Sequence, residues 1–126
     1  MEAQNKTILL VEDSDFLLLM LKKFFKTLGY KVLIARDGME AIKIMNEMPP
    51  DLIISDYLVP FKNGMELYRY ASEIFPRKIP FILVSKYKKL DIANFHGDVK
   101  LPEFINKPVN LRELLGYCDN LLNTKN

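Results

Sequence analysis

The chain has 126 residues, 49% of them hydrophobic, which is enough for one buried core without a stapling metal or disulfide. Its net charge of +2 is too small to favour nucleic acid as a direct partner, and we interpret the basic cluster Lys86, Lys88 and Lys89 as a solvated face. The single cysteine excludes an internal disulfide, residues 1–7 lack the apolar core of a secretory signal, and no apolar run has the length of a membrane helix, so we expect a cytoplasmic protein.

The first half of the chain alternates short apolar runs with helical patterns. Ile8 to Val11 is a continuous apolar run, typical of a strand buried on both faces of a parallel sheet. A helical pattern follows from Asp15 to Leu28, with Ser14 as its cap and Gly29 at its end. The same alternation then predicts a strand over 31–35, a turn at Asp37-Gly38, a helix over 39–48 and a buried strand over 52–56.

The second half continues the alternation less regularly. It predicts a helix over 65–75 and strands over 81–85 and 103–106. Residues 86–102 have the weakest helical pattern, because Gly97 and Pro102 interrupt it, so we expect one short or irregular helix there. The last helix has Asn110 as cap and Glu113 three residues later, the spacing of a capping box, and the tail 124–126 is expected to fray.

The first predicted helix has more apolar residues than one face needs. The expected core stripe is Leu17, Met20, Leu21, Phe24, Phe25 and Leu28. Leu18 and Leu19 fall outside this stripe, and we expect them to face water or a partner.

Five strands alternating with five helices predict a (βα)5 fold of the α/β class, a doubly wound three-layer sandwich around a five-stranded parallel sheet. In the strand order 2-1-3-4-5, the ligand crevice lies between the carboxyl ends of the first and third strands. Those strands end in Glu12-Asp13 and in Asp56. Three close carboxylates repel one another and should either raise one pKa or hold a cation, and hard oxygen ligands favour Mg²⁺, with Mn²⁺ as a substitute.

Two further polar residues lie at the same edge of the predicted sheet. Ser85 ends the fourth strand and Lys107 follows the fifth. A hydroxyl, an ammonium and a cation together complement a phosphoryl group, and an aspartate in such a site can act as a nucleophile and hold an acyl-phosphate.

These motifs together resemble the receiver domain of two-component response regulators. The matching segments are Val11-Glu12-Asp13-Ser14, Asp56-Tyr57-Leu58-Val59-Pro60 with Gly64 further on, Ser85, and Phe104-Ile105-Asn106-Lys107-Pro108. The resemblance extends from about residue 6 to 122 and implies one receiver domain over 1–126 with the flavodoxin-like, CheY-like sheet order.

The resemblance also implies a role for each residue of the site. Asp56 would accept a phosphoryl group from a phosphohistidine of a histidine kinase or a histidine phosphotransfer protein. Glu12, Asp13, Asp56 and the backbone carbonyl of Leu58 would hold Mg²⁺, and Lys107 would pair with the phosphate.

The same resemblance assigns signal transmission to two side chains, a hydroxyl and an aromatic ring. Ser85 would move toward the phosphate, Phe104 would turn inward with it, and the backbone N–H groups of Leu58 and Lys86 would donate to the phosphate. The bond between Lys107 and Pro108 would be cis. The chain would then be a phosphoacceptor signalling domain that acts on a downstream protein target, and not an enzyme beyond its own phosphotransfer and dephosphorylation.

This chain departs from the family pattern at several positions. Lys86 follows Ser85 where a small residue is usual, so it either crowds the site or adds a second cation. The resemblance implies that Leu58 and Tyr87 flank the path of the attacking water, and we expect their bulk to slow hydrolysis. His96 has no partner at a recognisable metal or catalytic spacing, and we expect it to be structural or solvent-facing.

The sequence also allows functions other than that of a stand-alone phosphorylated receiver. Because the chain begins with methionine and ends after the fifth helix, we expect a stand-alone receiver, the alternative being a receiver from a longer transcription factor or hybrid kinase. An atypical receiver that binds proteins without phosphorylation is disfavoured by the intact acidic triad. A small phosphatase is disfavoured because Leu58 offers no second acid two residues after Asp56.

Overall fold

A computed structural model describes residues 6–97 and 99–123 of the chain, so the predicted fraying tail 124–126 lies outside the described residues. The strands are β1 (Thr7–Val11), β2 (Lys31–Ala35), β3 (Leu52–Asp56), β4 (Phe81–Ser85) and β5 (Glu103–Asn106). The helices are α1 (Asp15–Thr27), α2 (Gly38–Glu47), α3 (Gly64–Ile74), α4 (Lys89–Phe95) and α5 (Leu111–Asn123). The strands form one parallel sheet in the order β2-β1-β3-β4-β5, which confirms the predicted (βα)5 topology.

The sheet separates two apolar cores. Alternate residues of a strand point to opposite faces, so Leu9 and Ile53 belong to one core whereas Ile8 and Leu52 belong to the other. Helices α2, α3 and α4 cover the first face, and α1 and α5 cover the second. All five residues of β3 and of β4 are buried, as expected of central parallel strands. Among the described residues, no helix is both long and apolar enough to cross a membrane.

Helices α2 and α3 each begin one residue before the predicted start. The sequence placed Gly38 in a turn, but Asp37 caps the helix by accepting a hydrogen bond from the Glu40 N–H, so Gly38 is its first residue. Asn63 and Glu66 form a reciprocal capping box at the start of α3. At the box predicted for α5, the Glu113 N–H donates to the Asn110 Oδ1 at 2.9 Å. Side-chain caps thus satisfy backbone N–H groups at the starts of α2, α3 and α5.

The core face of α1 differs from the prediction. Leu18 is 2% exposed and lies in the core beside Leu21 and Phe25, so its predicted outward position was wrong. Leu28, predicted to be buried, is exposed, whereas Leu19 is 68% exposed as expected. Buried positions spaced by three and four residues define the face that a helix turns to a sheet. Because two adjacent stripes of α1 are apolar, the sequence does not indicate which one faces the sheet.

Helix α4 has only seven residues, which confirms the short helix predicted between the fourth and fifth strands. Ile92 is its one buried residue, and the side chain of the N-cap Lys88 makes no capping bond. His96 ends the helix and Gly97 follows with a φ of 77°, a value that favours glycine. This helix therefore has little core contact and weak capping, although it lies next to the carboxyl edge of the sheet.

The corrected position of Leu18 predicts a difference between two neighbouring leucines. Leu18→Ala should lower the free energy of unfolding by about 2 to 5 kcal/mol, because it opens a cavity in the core. Leu19→Ala is the matched control and should change it by less than about 0.5 kcal/mol. Urea unfolding followed by circular dichroism measures both. Equal losses would contradict the burial of Leu18.

Candidate functional site

Acidic side chains from two neighbouring strands meet at the carboxyl edge of the sheet. Glu12 and Asp13 follow β1 directly, and Asp56 is the last residue of β3. In the register of the sheet Val11 lies beside Ser55, so the two strand ends are level. Carboxylate oxygens of the three acids lie within 4.8 Å of one another, as the sequence predicted. Glu12 and Asp56 are buried and Asp13 is exposed, so the cluster has one open side.

Lys107 neutralises part of this charge. Its Nζ donates a hydrogen bond to Asp56 Oδ2 at 2.7 Å and lies 3.6 Å from Glu12 Oε1. Its backbone N–H donates to the carbonyl of Ser85 at 2.9 Å, which fixes the lysine against the end of β4. The following bond to Pro108 is cis, as the resemblance implied. The ammonium therefore lies where the sequence predicted, at the phosphoacceptor candidate.

Backbone groups also hold the carboxylates. The Leu58 N–H donates to Asp56 Oδ1 at 3.3 Å, and the Ser14 N–H donates to Glu12 Oε2 at 3.1 Å. Both oxygens of Asp56 thus have a donor, one from the loop after β3 and one from Lys107. The orientation of Asp56 is set by these two bonds.

The acids and the lysine shift the pKa values of Glu12 and Lys107. Burial raises the pKa of Glu12 to about 7, and the neighbouring Asp56 charge adds to the rise. Burial alone would lower the pKa of Lys107, but its hydrogen bond and charge attraction to Asp56 outweigh this, so that pKa is raised. Lys107 also attracts the Glu12 carboxylate and so lowers the Glu12 pKa, but burial and the Asp56 charge raise that pKa by more. A cation beside the cluster would favour the charged form of Glu12.

A cleft of about 230 Å³ opens beside these groups. It is lined by Asp13, Asp56, Leu58, Ser85, Lys86, Tyr87 and Lys107. Lys86, which was expected either to crowd the site or to add a cation, is exposed, and its Nζ lies 5.7 Å from the centre of the Tyr87 ring. The lysine therefore lies along one wall of the cleft.

The two candidate switch residues are both buried. Ser85 ends β4, and its Oγ accepts a hydrogen bond from the Tyr87 N–H at 2.8 Å. Phe104 lies in the core that α4 covers, in the same cluster as Leu83 and Ile92. The Phe104 ring thus occupies an inward position in this structure.

An aromatic pair next to the site was missed by the sequence. The hydroxyl of Tyr57 is hydrogen-bonded to His96 Nε2 at 2.8 Å, and the rings of Tyr57 and Tyr87 meet in a T-shaped arrangement with 6.2 Å between ring centres. His96 was expected to be structural or solvent-facing and is half-buried against this tyrosine. Tyr57 and His96 are separated by 39 positions, so no local spacing could indicate the pair.

Gly64 has a role that the sequence did not explain. Its N–H donates to the carbonyl of Tyr57 at 2.7 Å. A Cβ at this position would lie 2.8 Å from the backbone oxygen of Asp56 and 2.5 Å from a methyl of Leu83. Only glycine lets the start of α3 approach the backbone of Asp56 so closely.

The donor set fits a hard divalent cation. Three carboxylates with one exposed side supply the oxygen ligands that Mg²⁺ prefers, and the exposed side leaves positions for water or a phosphoryl oxygen. Among residues 6–97 and 99–123, no soft sulfur or imidazole donor is part of the cluster. The arrangement can therefore hold a metal and position a carboxylate nucleophile beside an ammonium.

Comparison with known proteins supports this geometry. The family model described as response regulator receiver domain matches residues 8–119. The histidine kinase P4 of Formosa agariphila is 33% identical over 126 residues, which cover 98% of this chain but only 9% of that protein. Sporulation initiation phosphotransferase F of Bacillus subtilis is 26% identical, with 87% of this chain and 88% of that protein covered.

A solved structure of a receiver domain has the same fold as this chain. The signal receiver domain of a signal transduction histidine kinase from Syntrophus aciditrophicus superposes with a TM-score of 0.82 at 32% identity, covering 94% of this chain and 90% of that one. A TM-score this high over nearly the whole of both chains shows that they share one fold. The chain therefore belongs to the response regulator receiver domain family of two-component systems and has the CheY-like fold.

Proposed function

We propose that this chain is a phosphorylation-controlled signalling switch whose phosphoacceptor is Asp56. The phosphoryl donor would be a phosphohistidine of a histidine kinase or a histidine phosphotransfer protein. The observation that carries the proposal is the position of the Asp56 carboxylate, which is hydrogen-bonded to Lys107 and clustered with Glu12 and Asp13 at the mouth of an open cleft.

The transfer step needs only a nucleophile and charge stabilisation. A carboxylate oxygen of Asp56 attacks phosphorus, a P–O bond forms, the P–N bond to the donor imidazole breaks, and the imidazole nitrogen keeps the electron pair. Lys107, already 2.7 Å from Asp56, neutralises charge on a phosphoryl oxygen. The backbone N–H groups of Leu58 and Lys86 and the Ser85 hydroxyl are proposed to donate to the remaining oxygens.

The metal is proposed to be Mg²⁺, with Mn²⁺ as a substitute. Glu12, Asp13, Asp56 and the backbone carbonyl of Leu58 would hold it. Bound there, it would neutralise phosphoryl charge during transfer.

The output of the switch is proposed to start at Ser85 and Phe104. Movement of the Ser85 hydroxyl toward the phosphate would disturb the bond that its Oγ accepts from the Tyr87 N–H. Phe104 packs in the core beneath α4, so a change at Ser85 and a change in this ring would both reach that helix.

We also propose that residues 6–122 act as one receiver unit that works in the cytoplasm. It would catalyse only its own phosphorylation and dephosphorylation. The relative from Bacillus is named a phosphotransferase, which is in keeping with a role in phosphoryl transfer between proteins.

Phosphorylation can be tested without the natural donor. Incubation with Mg²⁺ and acetyl phosphate or phosphoramidate should add one phosphoryl group, detected by mass spectrometry as an acid-stable, base-labile adduct. Asp56→Asn should abolish the adduct because it removes the nucleophile. A phosphorylated histidine protein serves as a second donor in case Lys86 excludes small molecules. Absence of an adduct with both donors, or an adduct that persists in Asp56→Asn, would refute the proposal.

Metal binding should appear as added stability. At a Mg²⁺ concentration about 100 times Kd, the free energy of unfolding should rise by about 2.7 kcal/mol. Asp13→Asn should remove most of this gain because it deletes a ligand. Asp15→Asn is the control, since Asp15 is an exposed acid that pairs with Arg36 outside the cluster. Urea unfolding with and without Mg²⁺ gives each value, and an equal loss of the gain in both variants would argue against the assigned ligands.

Leu58 is expected to prolong the phosphorylated state. Its side chain lines the cleft and has no group that can orient an attacking water. Leu58→Asn should therefore shorten the lifetime of the adduct severalfold, as measured by its loss over time after the donor is removed. A longer lifetime in Leu58→Asn would show this reasoning to be wrong.

A further inference from the structure

Two hollows lie along helix α3, apart from the acidic cleft. One has a volume of about 280 Å³ and lies between the second half of α3 and the segment 75–79 that leads to β4. The other has a volume of about 220 Å³ and lies between α3 and residues 99–100, which precede β5. Tyr68 and Ser72 line both hollows, so the two join into one groove, which we call the α3 groove. Among the described residues, none lines both this groove and the acidic cleft.

The charged side chains of the α3 groove are mostly cations. Those of the first hollow are Arg77 and Lys78, and those of the second are Arg69, Lys100 and the acid Glu73. All four cations are exposed. Within residues 6–97 and 99–123, no ion pair involves Arg69, Lys78 or Lys100. The groove therefore has an excess of positive charge that this part of the chain does not neutralise.

The end of α3 explains only part of this charge. Carbonyl groups at the C-terminus of a helix favour nearby cations, and Arg77 also lies 3.7 Å from the carboxylate of Asp51. Arg69, however, lies more than one turn before Ile74, the last residue of α3, and Lys100 lies in the segment before β5. Neither of them lines the hollow at the end of the helix. Cations on both sides of a groove complement an anionic ligand.

Between the cations the α3 groove offers aromatic surface and a hydroxyl. Tyr68 and Phe75 are half-buried beside the buried Ile79. The Tyr68 ring packs in a T-shaped arrangement on Phe81, with 5.2 Å between ring centres, so the ring is held in place. In the part of the chain that the structure describes, the Tyr68 hydroxyl makes no hydrogen bond. It is therefore available to donate to a ligand.

The dimensions of the α3 groove favour a polypeptide segment over a small molecule. A small-molecule site usually encloses most of its ligand, whereas both hollows of this groove are open to solvent. From Met65 to Phe75 the groove follows α3 for about 15 Å. An extended chain of about five residues has this length. Such a segment reaches the cations of both hollows at once.

We propose that the α3 groove binds an acidic, extended segment of a partner protein. Carboxylates of the segment pair with cations of both hollows, and an apolar side chain between them packs on Tyr68 and Phe75. Binding requires neither a phosphoryl group on Asp56 nor a metal, because the groove and the acidic cleft have separate linings. The docking site is thus independent of the function proposed above.

The ligand class can be tested with a random peptide library displayed on phage and selected against the full chain. The enriched peptides should contain several acidic residues and at least one apolar residue. A labelled synthetic copy of the most enriched peptide then gives Kd by fluorescence anisotropy. This Kd should rise with salt concentration, because salt screens the attraction between exposed charges.

Two variants test the groove by different means. Arg69→Glu combined with Lys100→Glu reverses the charge of the second hollow and should raise Kd about tenfold or more. Ser72→Trp keeps every charge but fills the junction of the two hollows, so it should also raise Kd severalfold. The matched control is Lys23→Glu combined with Lys26→Glu, which changes the net charge equally at exposed positions of α1, on the opposite face of the sheet. It should change Kd less than about twofold, because distant exposed charges are screened.

Circular dichroism checks that each variant is folded. The proposal is overturned if the enriched peptides are not acidic, if either groove variant leaves Kd unchanged, or if the α1 control raises Kd as much as the charge reversal does. It is also overturned if sedimentation shows self-association that Ser72→Trp abolishes, since the occupant would then be a second copy of the chain.

Independence from the acidic cluster is measured with Asp56→Asn, which should leave Kd unchanged. A Kd that rises severalfold in this variant contradicts the proposed independence. Absence of a phosphoryl adduct on Asp56 would count against the function proposed above but not against the α3 groove, because the peptide is bound to the untreated protein.

Discussion

The ion pair between Lys107 and Asp56 is the interaction on which the functional edge of this protein depends. The parallel register places three carboxylates together at the ends of β1 and β3, and two of them are buried, so mutual repulsion would oppose folding without a nearby cation. Lys107 supplies that cation from the end of β5, at 2.7 Å from Asp56. In the function proposed above, the same ammonium would also neutralise a phosphoryl oxygen, so one contact would contribute to both stability and function.

The sheet and the site could be predicted from the sequence because their determinants are local. Continuous apolar runs such as Leu52–Ile54 indicate buried parallel strands, and a polar residue at the end of such a run must lie at the carboxyl edge. Alternation with helices then restricts the strand order, and the strand order brings Glu12, Asp13, Asp56, Ser85 and Lys107 to one place. The family model supports the same assignment, because it matches residues 8–119 of the chain.

The remaining features could not be predicted because they depend on packing between distant segments. The rotation of α1 that buries Leu18 is decided by contact with the sheet, since its sequence has two adjacent apolar stripes. The hydrogen bond between Tyr57 and His96 joins the residue after Asp56 to the end of α4, and neither residue has a spacing that indicates the other. The cleft of about 290 Å³ between Leu58, Tyr87 and Phe95 likewise arises only when the loop after β3 meets α4.

Gly64 places a different kind of limit on the molecule. Its missing side chain lets the first turn of α3 lie against the backbone of Asp56, and any Cβ there would collide with that backbone. The backbone of Asp56 is thus packed directly against the first turn of α3, while charged groups surround its carboxylate. In the divergence of related sequences, position 64 should therefore be restricted by size, independently of any change in the side chains of the acidic cluster.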